Sequence, residues 1–408
     1  MSRDLTPYKR LKKDEYNIVA GSTWPSFEEF QQHNNIADFI YDEIDSMLWN
    51  LAPKISETFC VLPFYGIEYP DNVPCCIMGK VNNLDEIREQ MLAGEKPKAC
   101  ATCWKLESAG VQSDRQLKNT TLDFYLKEDI KLLFDRAVEK KNSVIHYKID
   151  TSNTCNATCI TCSGNCSSAW AILEKKNGVD TFATQWKLTP GEVDKMIDYS
   201  TVKMIGFRGG EPLLSDTNFY ILEKLVEHNN TDCFISFTTN GSMAIRSSQK
   251  DLLKQFKNVN FCFSIDGVGP VFEYLRYPLK WNQLLENIDY CRNNGITVSA
   301  SYTISNINVF YHAETVAWFK ENGIEFLNNP VSYPAYFRPS ALSESIKQGI
   351  LKTNTDPLLT MLLGQHTAKD DVDYQSAKQK IAEQDSWKKI QMTDYLPEFS
   401  RYFLPIYS

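Results

Sequence analysis

Four cysteines fall within the stretch DTSNTCNATCITCSGNC, Asp150 to Cys166, directly after the β-like run VIHYKI. Cys155, Cys159 and Cys162 have the spacing CxxxCxxC, and Cys166 follows. Three chemistries fit such a group: a disulfide knot, a zinc clip, or an iron-sulfur cluster. A structural zinc site closes with four Cys/His ligands, and Cys166 is the obvious fourth. Three thiolates on a [4Fe-4S] cube instead leave one iron free to take a cofactor or substrate. A second set lies upstream, where Cys60, Cys75, Cys76, Cys100 and Cys103 are grouped as C-x14-CC-x23-CxxC. A hairpin, a helix and a terminal CxxC make a plausible four-thiolate cage, and softness and geometry suit zinc and iron alike.

Composition narrows these choices. The N-terminus MSRDLTPYKRLKKDEYN is polar and charged, and no window is apolar for long enough to cross a bilayer, so a cytoplasmic protein is expected. Twelve cysteines in a reducing compartment are expected to be ligands or catalytic groups, which disfavours the disulfide knot. A net charge of -8 with no Lys/Arg block argues against nucleic acid as the main partner. The five histidines form no HxxxH pair, which weighs against a zinc hydrolase.

The elements that position the thiols follow from periodicity. Six β-rich runs alternate with helical stretches: 146–152, 202–210, 233–241, 259–267, 297–305 and 325–331. Strands separated by helical crossovers imply an α/β fold with a parallel sheet, a partial (β/α)6 TIM-like barrel. Loops at the carboxyl ends of such strands build active sites. The cysteine loop follows the first strand, FRGGEP the second, TTNG (238–241) the third and SIDG (264–267) the fourth. TPGE supplies a capping box from Thr189 to Glu192, and Asn83 caps NLDEIREQMLAG. The domains expected are a polar and helical segment (1–50), a small cysteine-rich α+β domain (51–120), a linking helix (121–143), the partial barrel (144–340) and a helical extension (341–408).

With CxxxCxxC after the first strand and GGEP after the second, residues 144–335 resemble the radical S-adenosylmethionine enzymes. The resemblance implies that Cys155, Cys159 and Cys162 hold a [4Fe-4S] cluster whose fourth iron is chelated by S-adenosylmethionine. One electron then cleaves the cofactor to a 5′-deoxyadenosyl radical that abstracts hydrogen from a substrate. The GGEP turn, Gly209, Gly210, Glu211 and Pro212, is expected to receive the methionyl amino group. Asn240, Ser264 and Asp266 match positions that meet the ribose and carboxylate, and Arg276 is expected to pair that carboxylate. Thr161 departs from the family, which often has an aromatic residue before the third cysteine, near the adenine. Cys166 is read as a bystander, because counting it in place of Cys155 gives CxxCxxxC.

The upstream set is similar to the auxiliary-cluster module of this family in its short twitch form, placed before the barrel. The resemblance implies that Cys60, Cys75, Cys100 and Cys103 ligate an auxiliary [4Fe-4S] or [2Fe-2S] cluster, with Cys76 as the substitute for Cys75. Lone Cys233, Cys262 and Cys291 are read as core residues. Family members with two clusters often modify peptides or proteins, and a reducing protein such as flavodoxin or ferredoxin is the implied electron donor. Tyr333, Tyr336, Phe337 and Arg338 are candidates to line the substrate mouth or to pack the C-terminal segment. The other readings are a radical enzyme acting on a small metabolite, nucleotide or sugar, and a non-catalytic iron-sulfur or zinc protein.

Overall fold

The computed structural model describes residues 56–75, 77–108, 110–124, 129–179, 185–365 and 369–402. The expected segment 1–50 and Cys76 therefore lie outside the described residues. The chain divides into two compact units, the described part of 1–148 with 319–325, and 149–318 with 326–402 of the described chain.

Among the described residues seven strands hydrogen-bond in sequence order: β1 Gly66–Tyr69, β2 His146–Asp150, β3 Met204–Arg208, β4 Phe234–Thr239, β5 Val259–Ser264, β6 Thr297–Ile304 and β7 Glu325–Pro330. The expected six are β2 to β7, and β3 to β6 pair in parallel with helices between them, an α/β arrangement. The register pairs Phe207 with Phe237 and Phe237 with Phe261. These rings form one face, with centroids 4.8 and 5.1 Å apart, and Phe219 of the helix Asp216–Glu227 stacks on Phe237 at 5.8 Å. Helices therefore cover the aromatic face, and alternation turns every second residue to the opposite one.

The opposite face is small and polar. Ser236 and Thr238 of β4 lie beside Asn260 and Cys262 of β5, and Cys262 and Ser264 beside Ser299 and Ser301 of β6. Asn260 Nδ2 donates to Ser236 at 3.3 Å and to Ser299 at 3.0 Å, so neighbouring strands are tied across this face by side chains as well as backbone.

The first unit is built around the segment Phe59–Val61. Asn119 accepts from the Val61 N–H and donates to the Phe59 carbonyl, clamping both sides of Cys60. Arg115 donates to the same carbonyl at 2.9 Å and forks onto Glu107 at 2.9 and 2.8 Å. The helix Leu84–Leu92 starts at Asn83, whose side chain accepts from the Glu86 N–H at 3.2 Å, and buries Ile87 and Met91. The linking segment differs from expectation. The described residues show two helices there, Asp114–Phe124 and Ile130–Val138. Asp129 starts the second by accepting from the N–H groups of Lys131 and Leu132. That cap defines a new helix start, which amphipathic periodicity alone does not reveal.

Candidate functional site

The cysteine loop leaves β2 and is tethered on every side. Thr151 bonds Ser215 and Asn218, both at 2.7 Å, and the Asn153 side chain accepts from the Trp186 N–H at 3.0 Å. Ser167 starts the helix Ser168–Lys176 and donates to the Ala157 carbonyl at 2.7 Å. Thr158 and Ile160 donate to the carbonyls of Tyr277 and Leu275 at 2.7 and 2.8 Å. Trp170 Nε1 donates to the Cys159 carbonyl at 2.8 Å. The loop is thereby held mainly through its backbone and not through the thiols of Cys155, Cys159 and Cys162.

The GGEP turn locks onto this loop. Gly210 N–H donates to the Ser152 carbonyl at 3.0 Å and Glu211 N–H to the Thr154 carbonyl at 2.7 Å. A Cβ on Gly210 would stand 2.2 Å from Thr154 O, and one on Gly209, whose φ is +93°, 2.5 Å from Ser152 O. Both glycines are thus required by the close approach of two backbones, and Gly209 also by its left-handed conformation. Glu211 is 1% exposed and accepts from Leu213 N–H, Thr239 Oγ1 and Asn240 N–H at 3.1, 2.8 and 2.8 Å. Its carboxylate braces the ends of β3 and β4, a role the sequence did not suggest, and burial raises its pKa. Pro212 is buried beside it and opens the short turn Pro212–Leu214.

Polar donors surround the thiols. Asn240 Nδ2 lies 3.9 Å from Cys155 Sγ, and Arg276 Nη1 lies 3.9 Å from Cys159 Sγ. Arg276 also pairs with Asp266 at 2.8 Å, and Asp266 accepts from the Thr303 N–H at 2.9 Å, so strand β6 fixes the carboxylate that aims the guanidinium. The Nε of Arg276 is buried and unbonded. Ser264 is half-buried at the end of β5, and Thr161 is half-buried within the cysteine loop. Burial and the neighbouring Cys159 push the Cys155 thiol up to about 11. A bond with Cys166, then burial, pushes Cys162 well above the ordinary thiol range. Cys166 itself is exposed.

Cys159 is also raised by burial, against the pull of Arg276 and of Lys388. Lys388 closes the helix Asp370–Lys388, in the C-terminal extension that carries no chemical motif. Its buried ammonium is pulled down to about 8 by desolvation. A cofactor that binds thiolates fits this set, since the side chains around the sulfurs are hydrogen-bond donors and cations.

In the first unit, Cys60, Cys75, Cys100 and Cys103 are all buried and line one small cavity with Met78, Asp114 and Arg115. Met78 N–H donates to Cys75 Sγ at 3.4 Å, and backbone N–H groups of Leu62 and Arg115 bond Cys60 and Cys103. Burial and the facing Cys75 hold Cys60 well above the ordinary thiol range, and burial with Cys103 pushes Cys100 to about 11. Among the described residues no three Cys, His, Asp or Glu side chains close around a point where one ion would sit. A cube asks less of its free ligands, because each thiolate takes its own iron.

Other residues fall where sequence did not place them. Cys233 and Cys291 are buried, but Cys262 is only half-buried and stands on the polar face of β5, not in the aromatic core. Phe337 is buried, and Arg338 pairs with Asp373 at 2.6 Å, so both pack the C-terminal helix. Tyr333 is 88% exposed. The polar face itself was legible as period-two alternation of Ser, Thr and Asn in the strands. No helix among the described residues is long and apolar enough to cross a membrane.

Residues 149–325 match the family model of the Radical SAM superfamily. No curated protein matches the chain. Among solved structures it is similar to native anSMEcpe with bound AdoMet, with 18% identity, 51% of this chain and 59% of that chain covered, and a TM-score of 0.37. It is also similar to Streptococcus suis SuiB bound to precursor peptide SuiA, with 15% identity, 68% and 64% covered, and a TM-score of 0.39. The chain thus spans less than two thirds of the length of either.

Proposed function

We propose that the Radical SAM domain matched by residues 149–325 makes this chain a radical S-adenosylmethionine enzyme that modifies a peptide or protein, with a second iron-sulfur cluster at the upstream thiols. A domain of this family takes a [4Fe-4S] cluster and S-adenosylmethionine as cofactors. When bound, they supply a 5′-deoxyadenosyl radical that removes hydrogen from the substrate. One observation carries the reading: the CxxxCxxC loop and the GGEP turn are hydrogen-bonded to each other at the carboxyl ends of adjacent strands.

Within that frame, Cys155, Cys159 and Cys162 are the cluster ligands, and the loop tethers hold them in place. Gly209 and Gly210 bring the turn against the ligand loop, and their carbonyls are the acceptors for the methionyl amino group. Asn240 and Arg276 stabilise the thiolates of Cys155 and Cys159. Ser264 and Thr161 would contact the nucleoside. Cys60, Cys75, Cys100 and Cys103 form the second cage, and its four thiols and enclosing N–H groups suit a fully ligated cluster that passes electrons. The peptide reading follows from the two-cluster arrangement. The polar sheet face, rich in hydroxyl and amide groups, suits a substrate with polar backbone. A low-potential flavodoxin or ferredoxin supplies the electron, in the cytosol, where these thiols stay reduced.

The test is anaerobic reconstitution followed by measurement of 5′-deoxyadenosine. Wild type should carry about eight irons per chain and cleave S-adenosylmethionine under reduction, and Cys159→Ala should not. Cleavage that survives in Cys159→Ala refutes the ligand assignment. Incubation with deuterated peptide or cell extract, followed by mass analysis of 5′-deoxyadenosine, then identifies the substrate; label transferred only from small metabolites would overturn the peptide reading.

A further inference from the structure

We propose that Lys388 is a positioning residue for the cluster loop, setting a buried cation against Cys159 and Cys162 so that the reduced state of the cluster they hold is favoured. The inference rests on the reading of those cysteines as ligands. The helix Asp370–Lys388 lays its last turn on the loop. Gln384 Nε2 donates to the carbonyl of Ile160, next to Cys159, at 3.1 Å, and Lys388 Nζ donates to Gln384 Oε1 at 3.0 Å. The same ammonium stands 4.7 Å over the Trp170 ring, whose Nε1 holds the Cys159 carbonyl at 2.8 Å. Trp387 meets Trp170 edge-on at 6.4 Å, and Tyr277 donates to the Lys388 carbonyl at 3.4 Å. Lys388 thus touches both groups that grip the peptide on the carboxyl side of Cys159.

Charge balance gives this contact a function. Lys388 is 7% exposed, and its ammonium meets Gln384 Oε1 and the Trp170 ring. Asp385, on the preceding turn, bonds the Tyr274 hydroxyl and the Met392 N–H, both at 2.9 Å, and its charge also bears on Lys388. Arg276, the other cation near Cys159, already has its counter-ion in Asp266. A buried ammonium is costly without a compensating anion. The thiolates of a bound cluster add to the negative charge that Asp385 supplies. Adding an electron makes the cluster more negative, so a fixed cation stabilises the reduced form.

The experiment is an EPR-monitored redox titration of the reconstituted full chain, following the cluster whose spectrum changes when S-adenosylmethionine is added. K388Q and K388M should shift its midpoint potential downward, and K388R should keep the wild-type value. Methionine preserves the apolar stem on Trp170 and removes the buried charge, so the iron-free K388M protein should melt no lower than wild type. An unchanged potential in K388Q and K388M overturns the role of Lys388 and leaves the ligand assignment intact. Absence of a cofactor-responsive cluster in wild type defeats the assignment itself. If neither neutral variant retains the cluster while K388R does, the need for the cation is upheld. If K388R loses it too, Lys388 acts by packing alone and the inference fails.

Discussion

Replacing Gly210 with alanine puts a methyl group where two backbones already touch. The added Cβ would stand 2.2 Å from Thr154 O, 2.5 Å from Thr154 C and 2.7 Å from Asn153 C. All three are main-chain atoms, so no side chain can swing away, and ordinary contact begins near ~3.5 Å. The loops can stay closed and strain, at about 1–3 kcal/mol. Alternatively they part by roughly 1 Å and lose the bonds from Gly210 and Glu211 to Ser152 and Thr154, at about 0.5–1.5 kcal/mol each. Either route costs about 1–3 kcal/mol, which lowers the melting temperature by roughly 2–10 °C in a unit of this size. The functional loss should be larger, because a displacement of ~1 Å at a reacting centre can cost about 100-fold in rate. Melting curves, iron content and the rate of 5′-deoxyadenosine formation measure these effects. A Gly210→Ala enzyme that loads its cluster normally and cleaves the cofactor within twofold of wild type refutes the interlock.

Gly349→Ala is the matched control: nothing lies within 4 Å of the new Cβ, so it should stabilise the helix Glu344–Thr353 by about 0.5–1 kcal/mol, read as a higher melting temperature. Cys103→Ala should drop iron from about eight to about four per chain while S-adenosylmethionine cleavage persists, as iron analysis and product assay will register. Arg115→Met strands Glu107 in a largely buried pair and should cost about 3–5 kcal/mol by denaturant titration, with Glu107→Gln in the same chain recovering part of the loss. Asp356 is held below the usual carboxylate range chiefly by His312, whose Nε2 stands 3.5 Å from its Oδ2. A depressed folded pKa stabilises fully above the unfolded value near ~4 and is lost as pH falls through the folded value. The melting gap between wild type and Asp356→Asn should therefore close as pH falls below about 4; a gap that widens over that range would contradict it.

The barrel was readable because its strands alternate and its loops carry rare residue types at fixed strand ends. Each expected strand contains an observed one, and Thr189 N–H meets the Glu192 carboxylate at 2.7 Å as the capping box requires. What was not readable depends on contacts distant in sequence. Glu211 was read as a ligand acceptor, but its oxygens meet Thr239 and Asn240, partners that only strand order brings near. Lys388 carries no motif, and its meaning comes from a helix more than two hundred residues downstream folding onto Ile160. Cys262 was assigned to the core on polarity alone. Register places it between Thr238 and Ser299, on the face that the helices leave bare.

The polar sheet face bears on the peptide reading proposed above. Phe207, Phe237 and Phe261 fill the space between sheet and helices, so the sheet needs no bulk on its other side to be stable. Ser236, Thr238, Ser299 and Ser301 are short, and short side chains leave volume in front of the strands that Leu or Phe would fill. They also bring hydroxyls whose hydrogen bonds are poorly satisfied by an apolar occupant. Arg208 and Asp150, paired at 3.2 Å at the ends of β3 and β2, add a charged couple beside the GGEP turn. On that reading, a substrate that meets these groups would offer donors and acceptors along its length, as an extended polypeptide does. Asn260→Leu tests this: it removes the cross-strand bonds to Ser236 and Ser299 and fills the face, so substrate turnover should fall while cleavage of S-adenosylmethionine without substrate is retained. Equal loss of both activities would mean that the polar face serves the cofactor and not the substrate.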